Sequence, residues 1–258
     1  MKRITFSFIA FTVSLVMYAS TSSAAGTCST KSLKGTYLFD YGGANRLTGK
    51  LKVYATVGMS VFDGKGHVEM TYSDSLGANE TVSGNYQVSS DCSGRIDYPE
   101  WNSADKIFVS ADGTQAFFID TRVGLIENGS IYRVAKSAPR NCSEKTLRGT
   151  YGYSVRGITD PSSIGASLFG EAGMESLDGA GNIVNRYTDS NGVSATVTGQ
   201  YALAANCMGT ATYGADSYQL YADPHGKSFV FLTMDRTNGG KFGQDDKISS
   251  RLLLKPLP

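Results

Sequence analysis

The sequence contains little from which a familiar catalytic or metal centre could be built. Histidine occurs only twice, as His67 and His225, and each stands beside a glycine in a segment typical of a surface turn. No nucleophile elbow, phosphate-binding glycine loop or paired-histidine motif is present, nor any CxxC or Cys/His cluster that would hold zinc. We therefore predict no catalytic residue, no metal site and no cofactor, and we favour a protein that is not an enzyme.

An excess of positive charge is also missing. The chain has 24 Lys and Arg against 23 Asp and Glu, and removal of Lys2 and Arg3 with the N-terminal segment would leave 22 against 23. Nucleic-acid binding needs a basic stripe that neutralises phosphates, so we exclude nucleic acid as a partner. Proline is scarce, with 6 residues against 30 glycines, which suits a β-rich protein with many tight turns.

Long apolar runs are confined to the N-terminus. Lys2 and Arg3 precede an apolar stretch over residues 4–19, and small residues fill most of positions 20–25. This pattern predicts a signal peptide over residues 1–25, cleaved after Ala24 or Ala25. The alternative is a transmembrane anchor, which needs roughly 20 apolar residues. We expect a secreted product, periplasmic or extracellular, with no transmembrane segment after cleavage.

The strongest positive signal is an internal duplication. Residues 28–37 match residues 142–151 at seven of ten positions, and residues 58–98 match residues 173–213 at 16 of 41 positions without a gap. The offset is 114 in the first match and 115 in the second, a period that indicates duplicated domains rather than a solenoid. We predict domain 1 over residues 26–137 and domain 2 over residues 138–258.

Within each copy, apolar and polar residues alternate with the period of a β-strand. The Asp-Gly segments at 63–66 and 178–181 predict hairpin turns. We expect about eight short strands per copy, which in copy one lie near residues 35–41, 52–62, 66–74, 80–88, 92–98, 105–110, 114–121 and 129–136. The predicted fold is all-β, with two tandem antiparallel domains. A barrel is favoured because closure removes exposed edges, and a two-sheet sandwich is the alternative.

The four cysteines follow the duplication. Four cysteines permit three pairings, but only pairing within each copy leaves each domain self-contained. The sequence therefore predicts disulfides Cys28–Cys92 and Cys142–Cys207, which agree with an oxidising compartment.

One polar cluster is also duplicated. Its members are Tyr72, Asp74, Ser75, Tyr187, Asp189 and Ser190. Strand alternation places the tyrosine and the aspartate of each copy on the inward face, where they would line a pocket and bind a ligand. The alternative is that each aspartate caps the turn in which its strand ends.

The order of motifs carries a resemblance. The pattern C-S-x-x-x-L-x-G-x-Y, then D-G-x-G, then G-x-Y and C-x-G, begins at Cys28 and again at Cys142. It resembles a tandem module of uncharacterised exported bacterial proteins, which implies a bacterial, exported protein and implies no activity. The expected barrel is similar in general shape to calycin and allene-oxide-cyclase-like barrels. Their functional motifs are absent, so that likeness concerns the fold alone.

Three functions agree with these features. The favoured one is an exported, non-catalytic envelope protein that binds a small apolar or amphipathic ligand inside a β-barrel. The alternatives are an isomerase- or cyclase-like enzyme that uses a barrel pocket, and a structural or adhesive surface protein made bivalent by its duplication. A cavity of several hundred Å³ would favour the first two, and a solid core would favour the third.

Overall fold

The two copies fold as two all-β domains in the computed structural model, which describes residues 27–45, 52–75, 77–122, 125–139, 141–159 and 167–233. The predicted signal peptide at residues 1–25 lies outside the described residues. Each domain begins with a single 3-10 turn, Thr30–Ser32 in domain 1 and Glu144–Thr146 in domain 2. No helix in the described part of the chain is long and apolar enough to cross a membrane.

Domain 1 is a closed antiparallel barrel. Its strands follow one another in chain order: β1 (Lys34–Asn45), β2 (Lys52–Asp63), β3 (His67–Asp74), β4 (Asn79–Val88), β5 (Ser93–Tyr98), β6 (Ser103–Val109), β7 (Gln115–Asp120) and β8 (Leu125–Ala135). Strand β1 pairs with β2 on one side and with β8 on the other, which closes the sheet. A third 3-10 turn, Pro99–Trp101, joins β5 to β6. The prediction of a barrel is confirmed for domain 1.

Domain 2 repeats this order as a half-barrel of seven described strands. They are β9 (Arg148–Thr159), β10 (Ser167–Asp178), β11 (Asn182–Asp189), β12 (Ser194–Leu203), β13 (Met208–Tyr213), β14 (Asp216–Ala222) and β15 (Phe229–Thr233). Each strand pairs antiparallel with the next one in the chain. The eighth strand predicted for this copy falls after residue 233, outside the described residues.

Aromatic side chains fill the end of each domain beside its first 3-10 turn. In domain 1, Tyr37 and Tyr86 pack edge-on against Phe62, with ring centroids 5.2 and 5.0 Å away. Their counterparts in domain 2, Tyr151 and Tyr201, are equally buried. The four hydroxyls donate to backbone carbonyls at 2.6, 2.6, 3.0 and 2.7 Å. These tyrosines combine apolar burial with a satisfied polar end, which a core aromatic requires.

The Asp-Gly segments form the predicted hairpin turns. Gly64 and Gly66 have φ angles of 76° and 117°, a region that favours glycine. Asp63 Oδ1 accepts hydrogen bonds from the backbone N–H of His67 at 3.0 Å and of Lys65 at 2.6 Å. These two hydrogen bonds hold the pKa of Asp63 below its ordinary value. His67 is accordingly an exposed residue at the end of a turn.

The two disulfides join Cys28 to Cys92 and Cys142 to Cys207, so the predicted pairing is confirmed. The Cα atoms of the two pairs are 4.9 and 5.0 Å apart. Each bond ties the start of its domain to the turn that links the fourth and fifth strands. Loops of 64 and 65 residues are thereby closed.

Domain 2 packs against the outside of the barrel. The outward residues of β1 and β2 form the β1–β2 outer face: Leu38, Ala55, Val57 and Met59. The outward residues of β14 and β15 form the β14–β15 outer face: Tyr221, Val230 and Leu232. Both faces belong to one apolar cluster in which none of these residues is more than 5% exposed. Ser73 Oγ lies 2.9 Å from Tyr221 Oη across the contact. The contact is therefore a buried apolar interface that also contains the Ser73–Tyr221 hydrogen bond.

Candidate ligand-binding cleft

The residues predicted as a site in domain 1 lie at the end of β3. Tyr72 is buried, and its hydroxyl donates to Glu80 Oε2 at 3.0 Å. Burial is the main cause of the raised pKa of Tyr72, and the hydrogen bond to Glu80 raises this pKa further. Asp74 Oδ1 accepts a hydrogen bond at 2.8 Å from the backbone N–H four residues later. Ser75 Oγ accepts one from the backbone N–H of Ala55 at 3.1 Å. Asp74 and Ser75 thus hold the β3–β4 turn in place.

The same geometry recurs at the end of β11. Asp189 Oδ1 accepts hydrogen bonds from the backbone N–H groups of Asn191 and Val193, both at 2.9 Å. Ser190 Oγ accepts one from the backbone N–H of Gly170 at 3.2 Å. These are the contacts of a turn cap. Tyr187, by contrast, is half-buried and lines a cleft.

A capping role gives a testable expectation for Asp189. Asp189→Ala removes the acceptor of two backbone hydrogen bonds and should lower the free energy of unfolding by about 1 kcal/mol. Asp189→Asn keeps an acceptor oxygen and should lower the free energy of unfolding by less than half of this amount. Urea denaturation measures both changes. Loss of ligand binding with unchanged stability in Asp189→Asn would instead assign the carboxylate to a pocket.

The interior of barrel 1 is almost filled. Its cavity has a volume of about 40 Å³, which holds a few water molecules and is far below the size of a small-ligand site. The indole ring of Trp101 packs against Tyr72 and Tyr98, with ring centroids 5.4 and 5.2 Å away. Trp101, which is carried by the 3-10 turn between β5 and β6, therefore plugs this end of the barrel.

Charged side chains surround the small cavity. Arg122 forms a bidentate ion pair with Asp120, with Nη2–Oδ2 and Nε–Oδ1 distances of 2.7 and 3.2 Å. Glu127 lies 4.0 Å from the same guanidinium. Burial, followed by repulsion from Asp120 and Glu127, raises the pKa of Asp105 to about 7, against the opposing effect of Arg122. Among the described residues, no group of His, Cys, Asp and Glu side chains is arranged to hold a metal ion.

Domain 2 lacks the tryptophan plug because the corresponding connection is shorter. Four residues separate Tyr98 from Ser103, whereas only a Gly-Ala pair separates Tyr213 from Asp216. No 3-10 turn therefore fits between β13 and β14. At this end of the half-barrel lies a cleft of about 440 Å³, which is within the range of small-ligand sites.

Aromatic and polar side chains line the cleft. The walls include three tyrosines, two carboxylates and one amide: Tyr187, Tyr213, Tyr218, Glu171, Asp216 and Asn185. Tyr187 and Tyr213 are the counterparts of Tyr72 and Tyr98, the two rings against which Trp101 packs in domain 1. In domain 2, Tyr218 packs edge-on against Tyr213, with ring centroids 5.6 Å apart, and Tyr187 lines the open cleft.

Buried partners hold Tyr213 in position. Its hydroxyl donates to Glu175 Oε1 at 2.7 Å. Burial raises the pKa of Glu175 to about 7, although the hydrogen bond from Tyr213 opposes the shift, and the nearby Glu171 adds to it. Burial and the same carboxylate also raise the pKa of Tyr213. The phenol is therefore a hydrogen-bond donor that remains protonated.

A second set of hydrogen bonds positions Glu171. The hydroxyl of Tyr153 donates to the carboxylate of Glu171 and accepts from Asn185 Nδ2 at 2.7 Å. Asn185 is the cross-strand neighbour of Glu175, so both networks meet in the floor of the half-barrel. Their mutual contacts preorganise the wall of the cleft.

The cleft has an acidic character. Glu171 and Asp216 contribute carboxylates, and none of the described residues that line the cleft is a lysine or an arginine. Tyrosine faces bind apolar groups and attract cations through the ring quadrupole. The cleft thus suits an apolar group that carries a cationic or hydrogen-bond-donating end.

Comparison with known proteins adds no relative. No family model and no curated protein matches the chain. The chemistry of the cleft accordingly follows from the residues that form it.

Among the polar residues of the half-barrel floor and wall that sequence reasoning misses are Glu171, Glu175 and Asn185. They occupy the positions at which domain 1 has shorter or apolar residues: Thr56, Ser60 and Met70. A search for polar positions that both copies share therefore does not find them. The contrast between the copies is the informative signal, because an inward glutamate is costly unless it has partners or a role.

Proposed function

We propose that the protein is an exported, non-catalytic binding protein of the bacterial cell envelope that holds a small amphipathic molecule in the cleft of domain 2. The observation that carries the proposal is the replacement of the Trp101 plug by a two-residue turn, which coincides with a cleft of about 440 Å³. A solid interior in both domains would have favoured a structural role instead.

The walls of the cleft define the class of ligand. An apolar ring of about the size of indole occupies the space beside Tyr187 and Tyr213, where domain 1 uses its own tryptophan. A cationic or donor group on the ligand then meets the carboxylate of Asp216, which lines the cleft beside Tyr218. Carboxylates beside aromatic faces are a favourable setting for an organic ammonium group.

Domain 1 has a different part in this proposal. Its cavity of about 40 Å³ leaves no room for a ligand of this size. Barrel 1 supports domain 2 through the contact of the β1–β2 and β14–β15 outer faces. Export is supported by the N-terminal pattern and by two disulfides, which persist in oxidising compartments.

Three probes that share one ring test the ligand class. Tryptamine carries an ammonium group, indole is neutral, and indole-3-acetate carries a carboxylate. We expect tryptamine to bind best and indole-3-acetate to bind at least about tenfold more weakly, because the carboxylates of the cleft repel it. Isothermal titration calorimetry with the purified chain at neutral pH measures the three affinities.

A grafted plug provides the control. Replacing the Gly214-Ala215 pair by the sequence of residues 99–102 brings a tryptophan into domain 2 and should abolish tryptamine binding while the melting temperature is retained. Trp101→Phe in domain 1 should leave binding unchanged, because that ring lies outside the cleft. Equal binding by the grafted and parent proteins would contradict the proposal.

A further inference from the structure

The contact between the two domains uses one face of each domain, and the duplication repeats both faces. Tyr37 donates to the carbonyl of Gly113, and Tyr151 donates in the same way to the carbonyl of Gly226. This equivalence aligns β6 and β7 of domain 1 with β14 and β15 of domain 2 without a gap. The cross-strand pair Phe108–Phe117 accordingly matches the pair Tyr221–Val230.

Domain 1 carries an exposed copy of the β14–β15 outer face. Its members form the β6–β7 outer face: Phe108, Phe117 and Ile119. These side chains are 52%, 55% and 46% exposed, whereas their counterparts in domain 2 are at most 1% exposed. Three large apolar side chains on adjacent strands constitute a patch of the kind that marks an interaction site.

Domain 2 carries an exposed copy of the β1–β2 outer face. Its members form the β9–β10 outer face: Gly152, Ala172 and Met174. Met174 is 52% exposed, whereas its counterpart Met59 is 5% exposed beneath domain 2. A shallow, largely open groove lies beside Met174 and is also lined by Thr188. Thr188 is the counterpart of Ser73, the residue that contacts Tyr221 in the interface between the domains.

We propose that chains associate head to tail, with the β6–β7 outer face of one chain docked on the β9–β10 outer face of a second copy. The arrangement repeats the contact already present between the two domains of one chain. Phe108 then enters the groove beside Met174, as Tyr221 packs on domain 1. Each chain has one free face of each kind, so the association is heterologous and produces a ring or a filament.

The contact between two chains is weaker than the contact between the two domains of one chain. Gly152 stands where the first interface has the fully buried Leu38, and Phe108 has no hydroxyl to replace that of Tyr221. Lys106, whose ammonium group lies 5.9 Å from the ring centroid of Phe108, and Arg186 in the groove bring like charges to the two faces. Association is therefore reversible and depends on concentration.

Sedimentation equilibrium of the purified chain tests the proposal. Between about 1 μM and 1 mM the parent chain should associate. Phe117→Lys and Met174→Lys should each weaken association at least about tenfold, with unchanged melting temperatures because both side chains are exposed. Val193→Lys is the matched control, since Val193 is 54% exposed and lies in the β11–β12 turn, outside both faces. A parent chain that stays monomeric throughout this range would overturn the proposal.

Mixing the two variants tests the head-to-tail arrangement itself. Phe117→Lys retains its β9–β10 outer face and Met174→Lys retains its β6–β7 outer face, so the mixture should form a dimer and no larger species. A self-complementary dimer through Phe117 predicts no rescue on mixing, and that result would also overturn the proposal. Gly152→Leu should strengthen association several-fold, since a Cβ at this position meets no atom within 4 Å.

Discussion

Removal of the second disulfide, in the variant Cys142→Ser/Cys207→Ser, should lower the free energy of unfolding of domain 2 by about 4 kcal/mol. The bond closes a loop of 65 residues, and a loop of this length restricts the unfolded chain strongly. Both cysteines are also buried, at 6% and 0% exposure, so each serine places a hydroxyl in an apolar site. A loss of this size is a large part of the stability of a small domain.

The single tryptophan makes the effect assignable to one domain. Trp101 lies in domain 1 and the chain has no other tryptophan, so its fluorescence follows the unfolding of barrel 1. Hydrogen exchange of β11 to β13 follows domain 2. The variant should increase exchange in domain 2 and move the fluorescence midpoint far less, and Cys28→Ser/Cys92→Ser should show the reverse. Equal shifts of both signals in both variants would mean that the domains unfold as one unit.

The fold is predictable from this sequence because the strand pattern of copy one recurs in copy two. A single alternating segment is ambiguous, but Val82, Gly84 and Tyr86 recur in phase as Val197, Gly199 and Tyr201. Both sets lie on inward faces of their domains. The same duplication settles the cysteine pairing, since only one of the three pairings forms both bonds within a single copy.

The candidate site is less predictable for two physical reasons. Alternation predicts that Tyr72 and Tyr187 face inward, and both do. Each strand ends at the aspartate two residues later, and there the backbone N–H groups of the turn bind the carboxylate. The cleft coincides with a connection between β13 and β14 that is two residues shorter than the connection between β5 and β6. In the sequence this difference is visible only as a change in the numbering offset between equivalent residues of the two copies. The offset is 115 before the connection and 113 after it.

The sequence also cannot tell which outward apolar residues are buried in a contact and which are exposed. Met59 and Met174 occupy equivalent positions, and one is buried while the other is exposed. Alternation predicts that both face away from the interior. Only the packing of domain 2 on domain 1 distinguishes a covered face from a free one.

The stability of domain 2 should decrease as the pH rises from about 4.5 to 7, and Glu175→Gln should remove this decrease. Burial raises the pKa of Glu175 from an ordinary value of 4.5 to about 7, so in this interval the folded state keeps a proton that the unfolded state releases. A state that binds more protons loses relative stability as the pH rises. Above pH 7 the folded state must hold a buried carboxylate, and the full free-energy cost of burying this charge then lowers the stability of domain 2.

The expected magnitude follows from the shift. A pKa raised from 4.5 to about 7 corresponds to about 3 kcal/mol. At pH 8, Glu175→Gln should therefore be more stable than the parent by about 2–3 kcal/mol, and at pH 4 the two should be nearly equal. The glutamine still offers Oε1 to the hydroxyl of Tyr213, so the variant removes the charge and retains the hydrogen bond.

Urea denaturation at several pH values, with hydrogen exchange of β10 and β13 as the readout, measures this profile. Glu69→Gln is the control, because Glu69 is exposed on the outer face of β3 and its replacement should leave the profile unchanged. Asp105→Asn should produce the corresponding change in domain 1, read by Trp101 fluorescence, since burial also raises the pKa of Asp105 to about 7. If Glu175→Gln were less stable than the parent at pH 8, the carboxylate would be ionised and stabilised in the folded state, and the assignment of a neutral Glu175 would be wrong.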